Sequence, residues 1–241
     1  MDLPCVSICC PIYNRNNFKP LIISNIMGLN YPKDKLEVVF DDDGTDKFIK
    51  NKLEEEFVKK IIYPIKLQYY YTTNKRNIGA KRNNLTKIAS HKIIACMDSD
   101  DIYMPDYILY GVNELKKGGY GCVGSNQMLF IYPYDNFITH AIRCEAKRQI
   151  HEATMIYTKK HHKSMGGFIS RGQRGSQGEG SKMADFNEKN IGLLDIDNCM
   201  CCVVHNNNTI CKEMFKKDNN KLECDISNEI KFILCGCLNI N

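Results

Sequence analysis

The stretch NIGAKRNNLTKIASHKIIACMDSDDIYMPDY, residues 77–107, decides the fold. Residues 81–90 carry Leu85, Ile88 and Ala89 at helical spacing. Residues 92–97 (KIIACM) form a short apolar run that suits a strand buried on both faces. Asp98, Asp100 and Asp101 then crowd into four residues before Pro105. Carboxylates packed at the end of a buried strand repel one another and raise each other's pKa. A hard divalent cation with oxygen ligands would relieve that repulsion. The plainer alternative is a polar turn that starts the helix after Pro105.

The pattern repeats outward from this stretch. Residues 6–11 (VSICCP), 36–40 (LEVVF) and 65–71 read as further strands, and residues 18–27, 47–62 and 106–117 as helices. Strand–helix alternation with short apolar strands predicts a mostly parallel α/β sheet covered by helices on both faces. Ligands bind such sheets beyond the carboxyl ends of the strands. Three of those ends carry polar clusters: Tyr13-Asn14-Arg15, the acidic run 41–46, and Asp98 to Asp101. Gly119-x-Gly121-x-x-Gly124 matches a dinucleotide-binding fingerprint in its letters, but it follows a helix and leads into a strand. The fingerprint needs the reverse order, so these glycines read as a helix stop and a turn.

After residue 125 the alternation fades. Residues 127–132, 153–157, 191–195 and 200–205 read as strands, with a basic, irregular piece after the first. Residues 159–165 and 181–187 read as short helices, and residues 210–241 as a tail with two weak amphipathic helices. The run GGFISRGQRGSQGEG, residues 166–180, is a loop of the kind that is functional or disordered. One domain with three regions follows: an α/β half over 1–125, a less regular half with the glycine-rich loop over 126–210, and a tail over 211–241.

Composition narrows the class. The chain has 241 residues, 43% hydrophobic and 25% charged, as soluble globular proteins do. A net charge of +5 favours an anionic ligand, but the basic residues are scattered, which argues against a nucleic-acid partner. The thirteen cysteines lie mostly in or beside apolar runs, where cysteine packs as a small hydrophobe. Cys199, Cys201 and Cys202 lack the paired spacing of a zinc site. With no secretory signal and no apolar run of ~18 residues, a reducing, cytoplasmic location without a membrane span is expected.

Over roughly residues 4–210 the chain resembles the family 2 glycosyltransferases of the GT-A fold. VSICCPIYNR resembles their first strand and nucleotide loop, and LEVVFDDDGTD their second strand with its uridine-binding acidic turn. NIGAKRNN resembles the segment before the metal strand, and MDSDDIYMPDYI the D-x-D motif with its following proline. HEATMIYTK, GEG and VVHNNNT resemble an acceptor-side strand, the acidic catalytic motif and a late metal-binding histidine.

The resemblance implies a GT-A enzyme that moves a sugar, with inversion, from a nucleotide diphosphate sugar to a hydroxyl acceptor. A UDP-sugar is the implied donor; a glycan, a protein or a small molecule could accept. Around the donor it places Pro11, Tyr13, Asn14, Arg15, Asp42 or Asp43, Asn77, Asp98 and Ser99. Lys81 and Arg82 would face the phosphates or a solvated helix surface. Mn or Mg would sit on Asp100 and His205, while Asp98 holds the ribose or reaches the metal through water. Glu179 would be the base, with Asp185 as the alternative, because Gly180 stands where the family's usual acid pair has its aspartate. On the acceptor side stand His151 and Glu152, of which a strand could present only one.

Two other readings compete. A nucleotidyltransferase would show a glycine-rich phosphate loop after the first strand, which CCPIYNRNN lacks. A catalytically inactive nucleotide-sugar-binding module would not need Asp98, Asp100, Glu179 and His205 intact. Spacing alone identifies neither the sugar, the acceptor nor the oligomeric state.

Overall fold

The computed structural model describes residues 2–143, 149–172, 178–185, 190–208, 211–217, 221, 224 and 226–240; the side chains of Arg143 and Asp185 lie outside the description. The first half alternates as its periodicity requires: β1 (Val6–Ile12), α1 (Lys19–Gly28), β2 (Leu36–Asp42), α2 (Lys52–Ile62), β3 (Lys66–Tyr71), α3 (Ile78–Ile88) and β4 (Ile93–Cys96). Then come β5 (Ile102–Tyr103), α4 (Tyr107–Lys117), β6 (Cys122–Gly124), β7 (Gln127–Tyr132) and β8 (Ile138–Arg143). The chain continues through β9 (Ile156–Thr158), α5 (Lys159–Ser164), α6 (Ser181–Asp185), β10 (Ile191–Leu193), β11 (Met200–Val203) and α7 (Asn228–Leu238).

Seven strands make the main sheet in the order β10-β6-β9-β4-β1-β2-β3. All are parallel except β9, which runs antiparallel between β4 and β6. Because side chains alternate along a strand, both faces of β1, β2 and β4 must be apolar to be covered. Ile8, Cys10, Val38 and Ala95 enter the core on one face with residues of α1, α4 and α7, and Cys9, Val39, Ile94 and Cys96 the core on the other with Leu85 of α3. Each fully buried Ile or Val here contributes ~1.5–3 kcal/mol relative to its exposed state. A second sheet, β5-β11-β7-β8, lies beyond the carboxyl end of β4 in the chain.

Several elements depart from the periodicity. Residues 47–51 stay out of α2, because the Phe48 amide donates to Asp42 Oδ2 at 2.8 Å and Asn51 takes the N-cap, accepting from the Glu54 amide at 3.0 Å. The helix of the opening stretch starts earlier than its apolar spacing suggests. Asn77 caps it, its Oδ1 accepting from the Ala80 amide at 2.9 Å. The irregular piece after β7 includes a strand, β8, that folds back through the left-handed residues Asn136 and Phe137. Residues 152–154 form a 3-10 turn, and β9 begins only at Ile156. The tail holds one α-helix among its described residues, α7, which packs on α1. The Gly119 region ends α4, with Gly119 at φ +62°, and leads into β6 as the motif order required. All cysteines among the described residues are free.

Candidate active site

A cavity of about 970 Å³ opens at the carboxyl edge of the main sheet. The loop after β1 brings Tyr13, Asn14 and Arg15 to it, the turn after β4 brings Asp98, Ser99 and Asp100, and α3 brings Asn77, Lys81 and Arg82. Because β9 runs backwards, the start of that strand faces the same edge. Its preceding 3-10 turn presents both His151 and Glu152 to the cavity. The expectation that only one of them could do so assumed a pleated strand there, and the turn removes that constraint.

Glu179 lies on the far wall, 5% exposed, at the end of the glycine-rich segment. Arg82 Nε donates to Glu179 Oε1 at 3.0 Å, and its Nη2 donates to both oxygens of Asp98 at 2.9 and 3.2 Å. One guanidinium thus separates the carboxylate after β4 from the one on the loop. Burial pushes the Glu179 carboxyl above its ordinary value; Arg82 opposes this, and the neighbouring charge of Glu152 adds to it. The alternative base, Asp185, sits at the end of α6, and its side chain lies outside the described residues.

Asp100 meets His205. Its Oδ2 is 3.0 Å from His205 Nε2 and accepts from Arg15 Nε at 2.9 Å. Burial opposes ionisation of Asp100, but the His205 hydrogen bond and the charges of Arg15 and Lys212 outweigh it and hold the carboxyl well below its usual range. Asp101 is buried beneath the site. Its Oδ1 accepts from the Val203 amide at 2.9 Å, which fixes β11 so that His205, two residues on, reaches Asp100.

Asp42 and Asp43 stand below the cavity and are not on its wall. Asp42 is fully buried and accepts from the amides of Gly44 and Phe48 and from the Tyr69 hydroxyl, at 2.9, 2.8 and 2.7 Å. Asp43 accepts from Lys81 Nζ at 2.5 Å and from the Arg76 amide at 2.7 Å. Lys81 also donates to the Ile12 carbonyl, so its ammonium is committed to the protein. Pro11 lines the cavity floor.

Lys75, Arg76, Ile78, Asn207 and Asn208 also line the cavity and were not singled out from the sequence. The adjacent pairs Lys75-Arg76 and Asn207-Asn208 flank motif residues, which is the signal they carried. Arg76 forms an ion pair with Asp41, and Lys75 Nζ lies 4.1 Å from the centroid of the Tyr13 ring.

A divalent cation can be tested against these residues. No three His, Cys, Asp or Glu side chains among the described residues stand together as a ready metal cage. Asp100 and His205 do converge, and they offer one oxygen and one nitrogen donor. Mg²⁺ commonly takes only one or two carboxylates and completes its shell with water and substrate phosphates. The pair therefore fits such an ion, provided Arg15 yields its place on Asp100.

The mostly parallel sheet flanked by helices is the GT-A glycosyltransferase fold. The chain belongs to glycosyl transferase family 2, whose sequence profile matches residues 7–173. It is 32% identical over 132 residues to an uncharacterized glycosyltransferase of Rickettsia bellii (strain RML369-C), covering 51% of this chain and 18% of the relative. Among solved structures it is similar to S. aureus TarS 1-349, with a TM-score of 0.61 at 16% identity, covering 83% of this chain and 60% of that one. It is also similar to the mannosyltransferase PcManGT of Pyrobaculum calidifontis, solved with GDP-Man and Mn²⁺ (TM-score 0.60, 20% identity, covering 85% of this chain and 57% of that one). The chain thus spans about a fifth of the first relative and under two thirds of both solved chains. No helix among the described residues is long and apolar enough to cross a membrane.

Proposed function

We propose that the protein transfers a sugar from a nucleoside diphosphate sugar, a UDP-sugar by preference, to a hydroxyl acceptor with inversion. The carrying observation is that Asp98, Asp100, Arg15 and Arg82 meet Glu179, His151 and Glu152 around one cavity at the carboxyl edge of the sheet. Similarity to S. aureus TarS, which has been solved with UDP and with UDP-GlcNAc, supports the donor class.

Asp100 and His205 are the residues that would hold Mn²⁺ or Mg²⁺. When bound, the ion stabilises the negative charge that develops on the leaving diphosphate. Arg15 and Arg82 face the cavity and balance the same charge from the protein side. Asp98, fixed by Arg82, is placed for the ribose or for a water of the metal shell. Glu179 takes the proton of the acceptor hydroxyl as that oxygen attacks. Its burial suits the role, since a raised pKa brings a carboxylate closer to the working pH of a base. A single displacement by a hydroxyl deprotonated this way inverts the anomeric carbon. His151 and Glu152 face the acceptor. The free cysteines agree with a reducing compartment such as the cytoplasm.

The test is to incubate the chain with Mn²⁺, a panel of nucleotide sugars and candidate hydroxyl acceptors, and to measure nucleoside diphosphate release. Release with UDP-sugars above all others is the expected result. Pyrophosphate release in its place would overturn the reading. Donor binding without turnover across the panel would reduce the protein to a binding module.

A further inference from the structure

The loop that carries Glu179 is fastened to α3, and one side chain does most of the fastening. Asn83 Nδ2 donates to the Phe168 carbonyl at 2.8 Å, and Asn83 Oδ1 accepts from the Phe168 amide at 2.8 Å. The amide thus serves Phe168 as a neighbouring strand would, satisfying both of its backbone groups. The next residue closes the loop, with the Ile169 amide donating to the Glu179 carbonyl at 2.8 Å. Asn77 Nδ2 adds a bond to the Ser170 carbonyl at 2.9 Å.

The approach is close enough to dictate residue types. A Cβ on Gly79 would lie 1.9 Å from the Ile169 carbonyl oxygen and 3.2 Å from Glu179 Cβ. Gly167 has φ +75°, and a Cβ there would lie 2.6 Å from Asn83 Oδ1. From behind, His162 Nε2 reaches the same Oδ1 at 2.8 Å, and its ring stacks on Tyr157. Phe168 itself is buried, and the Arg82 guanidinium lies over its ring at 6.0 Å.

We infer that Asn83 is a positioning residue for Glu179: through Phe168 and Ile169 it fixes the main chain from which the carboxylate reaches Arg82 and the cavity. The inference rests on the reading of Glu179 as the base. It makes α3 the element that both carries Arg82, bonded to Asp98 and Glu179, and sets the position of the base. Asn83 is partly buried and does not line the cavity, so it acts without touching substrate.

The experiment is a double-mutant cycle on the full chain, using the donor and acceptor that give turnover in the panel. Asn83→Ala and, from the loop side, Gly167→Ala are each expected to lower kcat about 100-fold, the scale of a misplacement near 1 Å. The affinity for UDP in Mn²⁺ should stay within about twofold, since a group acting only in the transition state leaves ground-state binding alone. In the Glu179→Gln background, Asn83→Ala should cause no further loss, because residues acting as a unit are not additive. An additive loss in that background would overturn the inference and leave the base assignment standing. A parallel fall in kcat, UDP affinity and Tm would reduce Asn83 to a structural role. Wild-type turnover in Glu179→Gln alone would remove the base assignment, and the inference with it.

Discussion

Asp100 and His205, 105 residues apart in the chain, meet with Oδ2 and Nε2 at 3.0 Å. If the pair holds the cation, Asp100→Ala should abolish Mn²⁺-dependent UDP binding. His205→Ala should weaken it, because it removes the one nitrogen donor of the pair. Titration calorimetry with and without a chelator measures both. Unchanged UDP affinity in Asp100→Ala would refute the assignment.

Glu179→Gln should lower kcat by ~10²–10⁴-fold, the worth of a positioned general base. The sign of the pH effect follows from burial. A general base works deprotonated, and the Glu179 carboxyl is pushed up. Turnover should therefore fall as pH drops through a value above the ordinary glutamate range, and this limb should vanish from the residual rate of Glu179→Gln. A pH profile of kcat reports it; an unchanged limb in the variant would assign it to another group.

Arg82→Met should leave Asp98 and Glu179 facing each other without the cation between them. Breaking a fully buried pair costs ~3–5 kcal/mol. Asp98 keeps 26% of its side chain open to the cavity, so a smaller loss, about 2–3 kcal/mol, is expected after solvent screening. Chemical denaturation measures the loss. The Glu179 limb of the pH profile should also move upward in the surviving activity, because a compensating positive charge is gone.

Asp42 and Asp43 should separate cleanly. Asp42→Asn turns a donor toward the Phe48 amide and the Tyr69 hydroxyl, and an unmatched buried group costs ~1–3 kcal/mol of stability. UDP affinity should change little. Asp43→Asn loosens Lys81 and Arg76, which both line the cavity, and should weaken UDP binding more than Asp42→Asn does. The reverse order would place the base-binding role on Asp42.

Much of the site could be read from the sequence because its residues follow strands directly. Asp98 and Asp100 stand just past a buried apolar run, and a parallel sheet puts all such ends at one edge. Glu179 and His205 came from motif order, and both lie beside residues of that edge. What escaped depends on partners that spacing does not reveal. Residues 47–51 keep helical periodicity, yet the Phe48 amide is taken by Asp42 from an earlier strand. His151 and Glu152 were constrained by a strand that starts three residues later than its apolar letters suggest. Asn83 reads as an ordinary polar residue of an exposed helix face. Only the fold shows that its amide is matched to the main chain of Phe168, 85 residues away.

The reversed strand β9 sets an order on how this chain can be completed during synthesis. β4, β1, β2 and β3 can pair with one another once residue 96 has emerged. Among the described residues β6, at residues 122–124, bonds only to β9 and β10, so it waits unpaired until residues 156–158 are made. At ~5–20 residues per second, the growing chain carries an open sheet edge for seconds. The strand that covers the β4 edge is the one whose preceding turn supplies His151 and Glu152. The cavity wall formed by His151 and Glu152 and the cover over the β4 edge therefore arrive together, in one event.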